Sequence, residues 1–219
     1  MADCKALRNK AASMQVAATF GIRSYTELLV LHGDVLLIPR LDRRVEAGRV
    51  RRLHQKSMAS LLGLSGFDLP PSLFERVAGN RCVASDPAAG IFEFIKRDVL
   101  NLATRNTAMQ VLDGRVQLSP LFDFAPMYLD PDMIPRTLRW YRPGSREELV
   151  VWDDILQELQ VSAAERRQLA VAMHLFAEQL ERLPDIMQSQ GVDDDVIRFL
   201  VPHIDIQHRQ LKALSMGAH

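Results

Sequence analysis

The spacing of apolar residues divides the chain into segments of different period. Up to Phe20 they recur at helical spacing, and Gly21 provides a stop because glycine accepts the left-handed conformation that ends a helix. The segment YTELLVLHGDVLLIP then carries two apolar runs separated by His32-Gly33-Asp34, which predicts a β-hairpin. Pro39 lacks the N–H that a ladder needs, so the second strand is expected to end there. From Arg40 to Arg52 the chain is dense in arginine and reads as a basic link. Beyond it the pattern turns mostly helical. A short amphipathic stretch covers residues 55–62, Pro70-Pro71 opens a helix running to Gly79, and Asp86-Pro87 opens another from Ala88 to about residue 103. TAMQVLDGRVQLSPLFDF predicts a second hairpin, since Asp113-Gly114 is favoured in two-residue type I′ turns. The last third reads as purely helical. Ser162 and Glu165 match a capping box at the head of a long helix through about residue 183, and Asp193 to Asp195 open a final helix to about residue 216. The expected class is α+β, predominantly α, with two short β-hairpins.

Composition narrows the function classes. With 219 residues, 47% hydrophobic and 25% charged, the chain is long enough for one large domain or two small ones and is neither fibrous nor disordered. Lys plus Arg and Asp plus Glu both total 27, so there is no net basic field to gather nucleic acid. Cys4 and Cys82 are too few for a disulfide scaffold or a Cys-rich zinc site. The opening residues carry Asp3, Lys5, Arg8 and Lys10 without a signal-like apolar run, and no stretch approaches the roughly eighteen apolar residues of a transmembrane helix. A soluble, cytoplasmic protein is expected.

The second hairpin permits a geometric expectation. A turn centred on Asp113-Gly114 places Asn106 opposite Leu121, with Asp123 its diagonal neighbour at roughly 7–8 Å between Cβ atoms. A carbonyl oxygen and a carboxylate so placed suit one hard divalent cation shared with phosphate oxygens. A one-residue slip would spoil the pair, and Asn and Asp beside strands are more commonly turn or cap residues.

The segments LLIPRLDR (36–43), His54-Gln55, KRDVLNLA (96–103), RNTAMQ (105–110) and LSPLFDF (118–124) fall in the order found in HipA-family proteins. The chain thus resembles the Ser/Thr kinases of bacterial toxin–antitoxin systems, which are built on a protein-kinase-like fold. The resemblance implies a remnant of the small lobe and the hinge over residues 1–42, and an α-helical large lobe over 43–219 with its metal-site hairpin at about 105–124. It implies ATP and Mg²⁺ as cofactors. Asn106, after Arg105, is similar to the Mg²⁺-binding Asn that ends the family's catalytic loop, and Asp123 of LSPLFD is similar to its second metal ligand. These are the two residues that the hairpin geometry selects independently. The stretch through Ile38, Arg40 and Asp42 resembles the hinge whose backbone groups receive adenine. Pro39 and Leu41 stand where many members carry a Glu and an aromatic. Family partners would be a HipB-like DNA-binding antitoxin and a protein substrate such as an aminoacyl-tRNA synthetase, with nucleic acid reached only through the antitoxin and no membrane partner.

The departures bear on catalysis. The family's loop between KRDVLNLA and RN carries a Gly-Asn-Thr-Asp-x-His-like segment whose Asp is the base; here Ala103 leads through Thr104 straight into Arg105-Asn106, roughly seven residues shorter. Asn101 stands at the spacing of that base, but an amide cannot accept the proton as a carboxylate would. No phosphate-covering loop or strand lysine is recognisable before Tyr25, and Lys5 and Lys10 sit in the expected first helix. The catalytic base is therefore unassigned. Two readings stay open: a Ser/Thr kinase module whose missing segments lie outside this chain, and a catalytically inactive pseudokinase or partner-binding module.

Plainer readings are preferred elsewhere. His54 reads as solvated or capping before nucleotide contact, and the basic run as a solvated face before a phosphate site. His203 and His208 are five apart, which does not put two zinc ligands on one helix face. Cys82 has no activating base in view, and Met109, Met127 and Met133 read as packing residues.

Overall fold

The computed structural model describes residues 2–24, 29–33, 35–61, 87–100, 107–122, 140–145 and 147–214. Helix α1 (Ala2–Thr19) ends as its sequence requires, with Gly21 at φ +70°. Strands β1 (Val30–His32) and β2 (Val35–Leu37) pair antiparallel, His32 opposite Val35, around Gly33 at φ +56°. The second strand stops before Pro39, as expected.

The arginine-rich run is not a link. It folds into a hairpin of β3 (Arg43–Glu46) and β4 (Arg49–Arg52), joined by Ala47 at φ 49° and Gly48 at φ 74°. Positive φ at both central residues is the type I′ signature. Every residue of both strands is exposed, so no buried face imposes the apolar alternation by which strands are recognised. The amphipathic stretch at 55–62 is likewise divided. Strand β5 (Gln55–Ser57) pairs with β6 (Ala108–Leu112), and only then does the chain turn into α2 (Met58–Leu61). The helix expected at 70–79 lies outside the described residues.

Helix α3 (Pro87–Val99) starts at the expected proline and has Lys96 and Arg97 in its last turn, where cations oppose the helix dipole. Strand β6 returns through Asp113-Gly114 into β7 (Arg115–Leu118), completing a three-stranded sheet in the order β5-β6-β7. The last third is not purely helical, because β8 (Trp140–Tyr141) pairs with β9 (Glu148–Leu149) at its head. Helices α4 (Trp152–Glu158), α5 (Ala163–Leu180), α6 (Leu183–Ser189) and α7 (Asp194–Lys212) follow. The capping box is complete: Ser162 Oγ accepts from Glu165 N at 3.2 Å, and the Glu165 carboxylate accepts from Ser162 N at 2.8 Å.

The core gathers on one face of α5, where Leu169, Ala170, Met173, Phe176, Ala177 and Leu180 are buried. Phe20 and Phe92 both meet Phe176 edge-on, at 5.8 and 6.2 Å between ring centroids, so α1 and α3 close on the same core. Asn9 of α1 is fully buried. Its carbonyl accepts from Asp193 N at 2.9 Å and its amide donates to the Asp193 carboxylate at 3.0 Å, which fixes α1 to the head of α7. The architecture is α+β and predominantly helical. Among the described residues no helix is long and apolar enough to cross a membrane.

Candidate functional site

The hairpin that carries the expected metal pair has the register its turn predicts. Asp113 and Gly114 take φ 51° and 77°, Leu112 faces Arg115, and Met109 faces Leu118. Ser119 N donates to Ala108 O at 2.7 Å, which carries the pairing one step further toward the open end. Thr107, buried, and Phe122, half-buried, are the last described residues on the two arms. Asn106 and Asp123 are their next neighbours in sequence and lie outside the described residues, as do Asn101 and Cys82.

Two guanidinium groups grip the arm that leads to Asp123. Arg23 donates to the Leu118 carbonyl, and Arg97 Nη2 donates to the next carbonyl, that of Ser119, at 2.7 Å. Arg97 is 1% exposed and also pairs with the Glu93 carboxylate. Burial pushes its pKa down, Glu93 opposes that, and Arg23 adds repulsion. A guanidinium stays charged even so. Its Nε and Nη1 are buried without hydrogen-bond partners, so a full charge is kept here at a cost in desolvation. Leu121 N donates to Arg23 O at 2.7 Å, tying the same arm to the residues that follow α1. Lys96 donates to Phe20 O at 2.9 Å and lies 5.2 Å from the Phe92 ring centroid, and burial lowers its pKa.

The expected hinge lies against this hairpin. Gln110 is 1% exposed in β6, and its amide nitrogen donates to Leu41 O at 2.5 Å and to Gln55 Oε1 at 3.3 Å. Leu53 N donates to Asp42 O, and Val111 N to His54 O, both at 2.8 Å. Arg44 reaches Asp113 at the turn, at 3.3 Å. Of the three expected hinge residues, Ile38 is half-buried, while Arg40 and Asp42 hold each other in a two-pronged ion pair with both contacts at 2.8 Å. That pairing raises the Arg40 pKa and lowers that of Asp42. The carbonyls of Leu41 and Asp42 are therefore engaged within the protein.

Other residues singled out in the sequence have ordinary partners. His54 is exposed, His203 Nε2 meets Val99 O at 3.2 Å, and His208 Nε2 meets Glu181 at 3.1 Å. Met109 is buried, whereas Met127 and Met133 lie outside the described residues. Lys5 pairs with Asp195 at 2.5 Å. Sequence reasoning missed Arg23, Arg97 and Gln110. Arg97 stands in the quoted KRDVLNLA segment and Gln110 in RNTAMQ, but buried polar roles leave no periodic signal.

The described residues comprise a helical core and a three-stranded sheet, with the non-strand segment 38–42 tied to that sheet by Gln110. The fold of the chain is similar to a solved HipA chain from Shewanella oneidensis MR-1, in a structure of the toxin–antitoxin system HipA, HipB and its operator DNA complex. The TM-score is 0.60 at 17% identity, covering 95% of this chain and 55% of that one. The chain thus spans about half the length of that relative. It matches the family described as HipA-like C-terminal domain over residues 3–185, and it belongs to that family. Comparison with curated protein sequences gives no match.

Proposed function

We propose that this chain is the large-lobe portion of a HipA-like Ser/Thr protein kinase toxin that transfers phosphate from Mg-ATP to a protein. The observation that carries the reading is the buried Gln110 bond to Leu41 O. It couples the hinge segment through Ile38, Arg40 and Asp42 to the hairpin whose open end leads to Asn106 and Asp123. The observed register suits this assignment, since it runs from the Asp113-Gly114 turn to Met109 opposite Leu118 as the turn predicts, on the two arms that lead in sequence to Asn106 and Asp123. Asn106 and Asp123 would hold Mg²⁺, which neutralises phosphate charge when bound. Arg23 and Arg97 fix the arm that leads to Asp123, and the hinge backbone groups other than the engaged Leu41 and Asp42 carbonyls orient adenine. The catalytic base has no candidate in this sequence. A HipB-like DNA-binding antitoxin is the proposed partner, and an aminoacyl-tRNA synthetase is the kind of substrate implied by the family.

The shortened loop before Asn106, with Asn101 at the spacing of the base, favours a second reading: a pseudokinase that keeps a nucleotide site and binds a partner. Phosphate transfer separates the two. With ATP labelled at its γ-phosphate, a kinase labels itself or an added protein, and Asp123→Ala abolishes the label. Mg-ATP binding without transfer, both by this chain and by any longer natural protein that contains it, would establish the pseudokinase.

A further inference from the structure

Between residues 40 and 52 six arginines stand against two carboxylates, Asp42 and Glu46. Folding sets them against one another, since Arg43 faces Arg52 and Arg44 faces Arg51 across the β3–β4 ladder. Like charges directly opposed destabilise a strand pair. The turn adds a second cost, because Ala47 takes φ 49°, a conformation that alanine disfavours. No buried face offsets these costs, as all eight strand residues are exposed.

The pleat puts Arg43, Val45, Val50 and Arg52 on one face and Arg44, Glu46, Arg49 and Arg51 on the other. The second face is partly neutralised, with Glu46 at 3.6 Å from Arg44 and 3.3 Å from Arg51. On the first, Val45 and Val50 stand opposed at 71% and 63% exposure, an apolar step beside the Arg43–Arg52 pair. The two strands also differ. β3 carries Glu46 and reaches Asp113 through Arg44, whereas β4 holds three arginines and no acid. Among the described residues β4 pairs only with β3, which leaves its outer backbone edge open.

An open edge is a template for a further strand, and extended peptides bind in this way with alternate side chains setting specificity. We propose that β4 receives an acidic, extended segment of a partner protein as a third strand. Antiparallel pairing sets acidic residues beside Arg52, Arg51 and Arg49 and an aliphatic one beside Val50. The bare valines within the patch favour a polypeptide over a phosphate backbone, which gains nothing from them. The balanced total of 27 basic and 27 acidic residues supplies no wider field for nucleic acid. The proposal does not depend on nucleotide binding.

The probe is the peptide Ser-Glu-Glu-Val-Glu-Ser carrying a neutral dye, titrated with the whole chain and followed by fluorescence anisotropy at about 0.15 M salt. The expected result is saturable binding that is lost when lysine replaces each glutamate. Proline in place of the valine should abolish it too, because a ladder cannot form through proline. Affinity should fall about fivefold in the double variant Arg49→Gln, Arg52→Gln, which loses two exposed charge pairs. Arg52→Gln alone should melt no lower than wild type, since it removes one opposed pair. A lower melt would give Arg52 a structural role and count against the proposal. No saturation up to about 1 mM, or equal binding of the proline peptide, would overturn it. Tighter binding of a short DNA duplex than of the peptide would overturn it in favour of a nucleic-acid surface.

Discussion

Gln110 is a polar side chain in a place that packing alone would give to an aliphatic one. Its amide is the buried link between β6 and the Leu41 carbonyl, and its own Oε1 has no hydrogen-bond partner. Replacing it with leucine keeps most of the volume but leaves the Leu41 carbonyl unpaired. Such a loss costs about 1–3 kcal/mol, offset in part by removing the unsatisfied Oε1. Gln110→Leu should therefore lower the urea midpoint modestly while weakening Mg-ATP binding more than the stability change accounts for. Equal affinity in wild type and variant would show that the hinge does not depend on this bond. No sequence pattern exposed the role of Gln110, because β6 reads as alternating whether its Met109 side or its Gln110 side faces inward. Both residues are in fact buried. Arg97 was hidden for a related reason: a lysine–arginine–aspartate run on a helix reads as a solvated face, yet Arg97 and Asp98 are both buried.

At the scale of elements, legibility followed burial on one side. Helices α1 and α5 and the β6–β7 hairpin each have a buried face or an explicit stop or cap, and they stand where their sequences put them. The β3–β4 hairpin has no buried face, so its sequence reads as a link, and only the Ala47-Gly48 turn signals it. The two-residue β8 and β9 are too short to impose a period. The same logic predicts the sensitivity of the β6–β7 turn. Gly114 sits at φ +77° with open space where a Cβ would go, so alanine there meets backbone strain and no clash. Gly114→Ala should cost about 1–2 kcal/mol in chemical denaturation. Because the turn sets the register of both arms, Mg-ATP affinity should fall with it. A stability loss with unchanged affinity would separate the turn from the nucleotide site.

Across the whole molecule, α1 is held to the head of α7 by Asn9 and by the Lys5–Asp195 pair. The hydrogen bond from Lys5 holds the Asp195 carboxyl below the ordinary aspartate value of 3.8. A depressed folded pKa means that the unfolded chain binds the proton more readily in the window below 3.8. The stabilising contribution is then complete above that value and is lost as pH falls through the folded pKa. Wild type should melt above Asp195→Asn near neutral pH, and the gap should close as pH falls below 3.8. A gap that stays constant with pH would assign the difference to packing. The pair is exposed, so the effect should also shrink in high salt.

The α+β class and the family were both legible in the sequence, the first from periodicity and the second from the order of short segments spread over the chain. The register of the β6–β7 hairpin was legible from one turn dipeptide, while Asn106 and Asp123 themselves lie outside the described residues. The carbonyl clamps of Arg23 and Arg97 were not, because contacts between residues so distant in sequence leave no local pattern. The central claim is that this chain binds ATP through Mg²⁺ held by Asn106 and Asp123. Calorimetry of the whole chain with ATP, with and without Mg²⁺, in wild type and Asp123→Ala, tests it most directly. The account predicts Mg²⁺-dependent binding in the wild type and at least a tenfold loss in the variant. Absence of binding, or binding indifferent to both Mg²⁺ and Asp123→Ala, would contradict it.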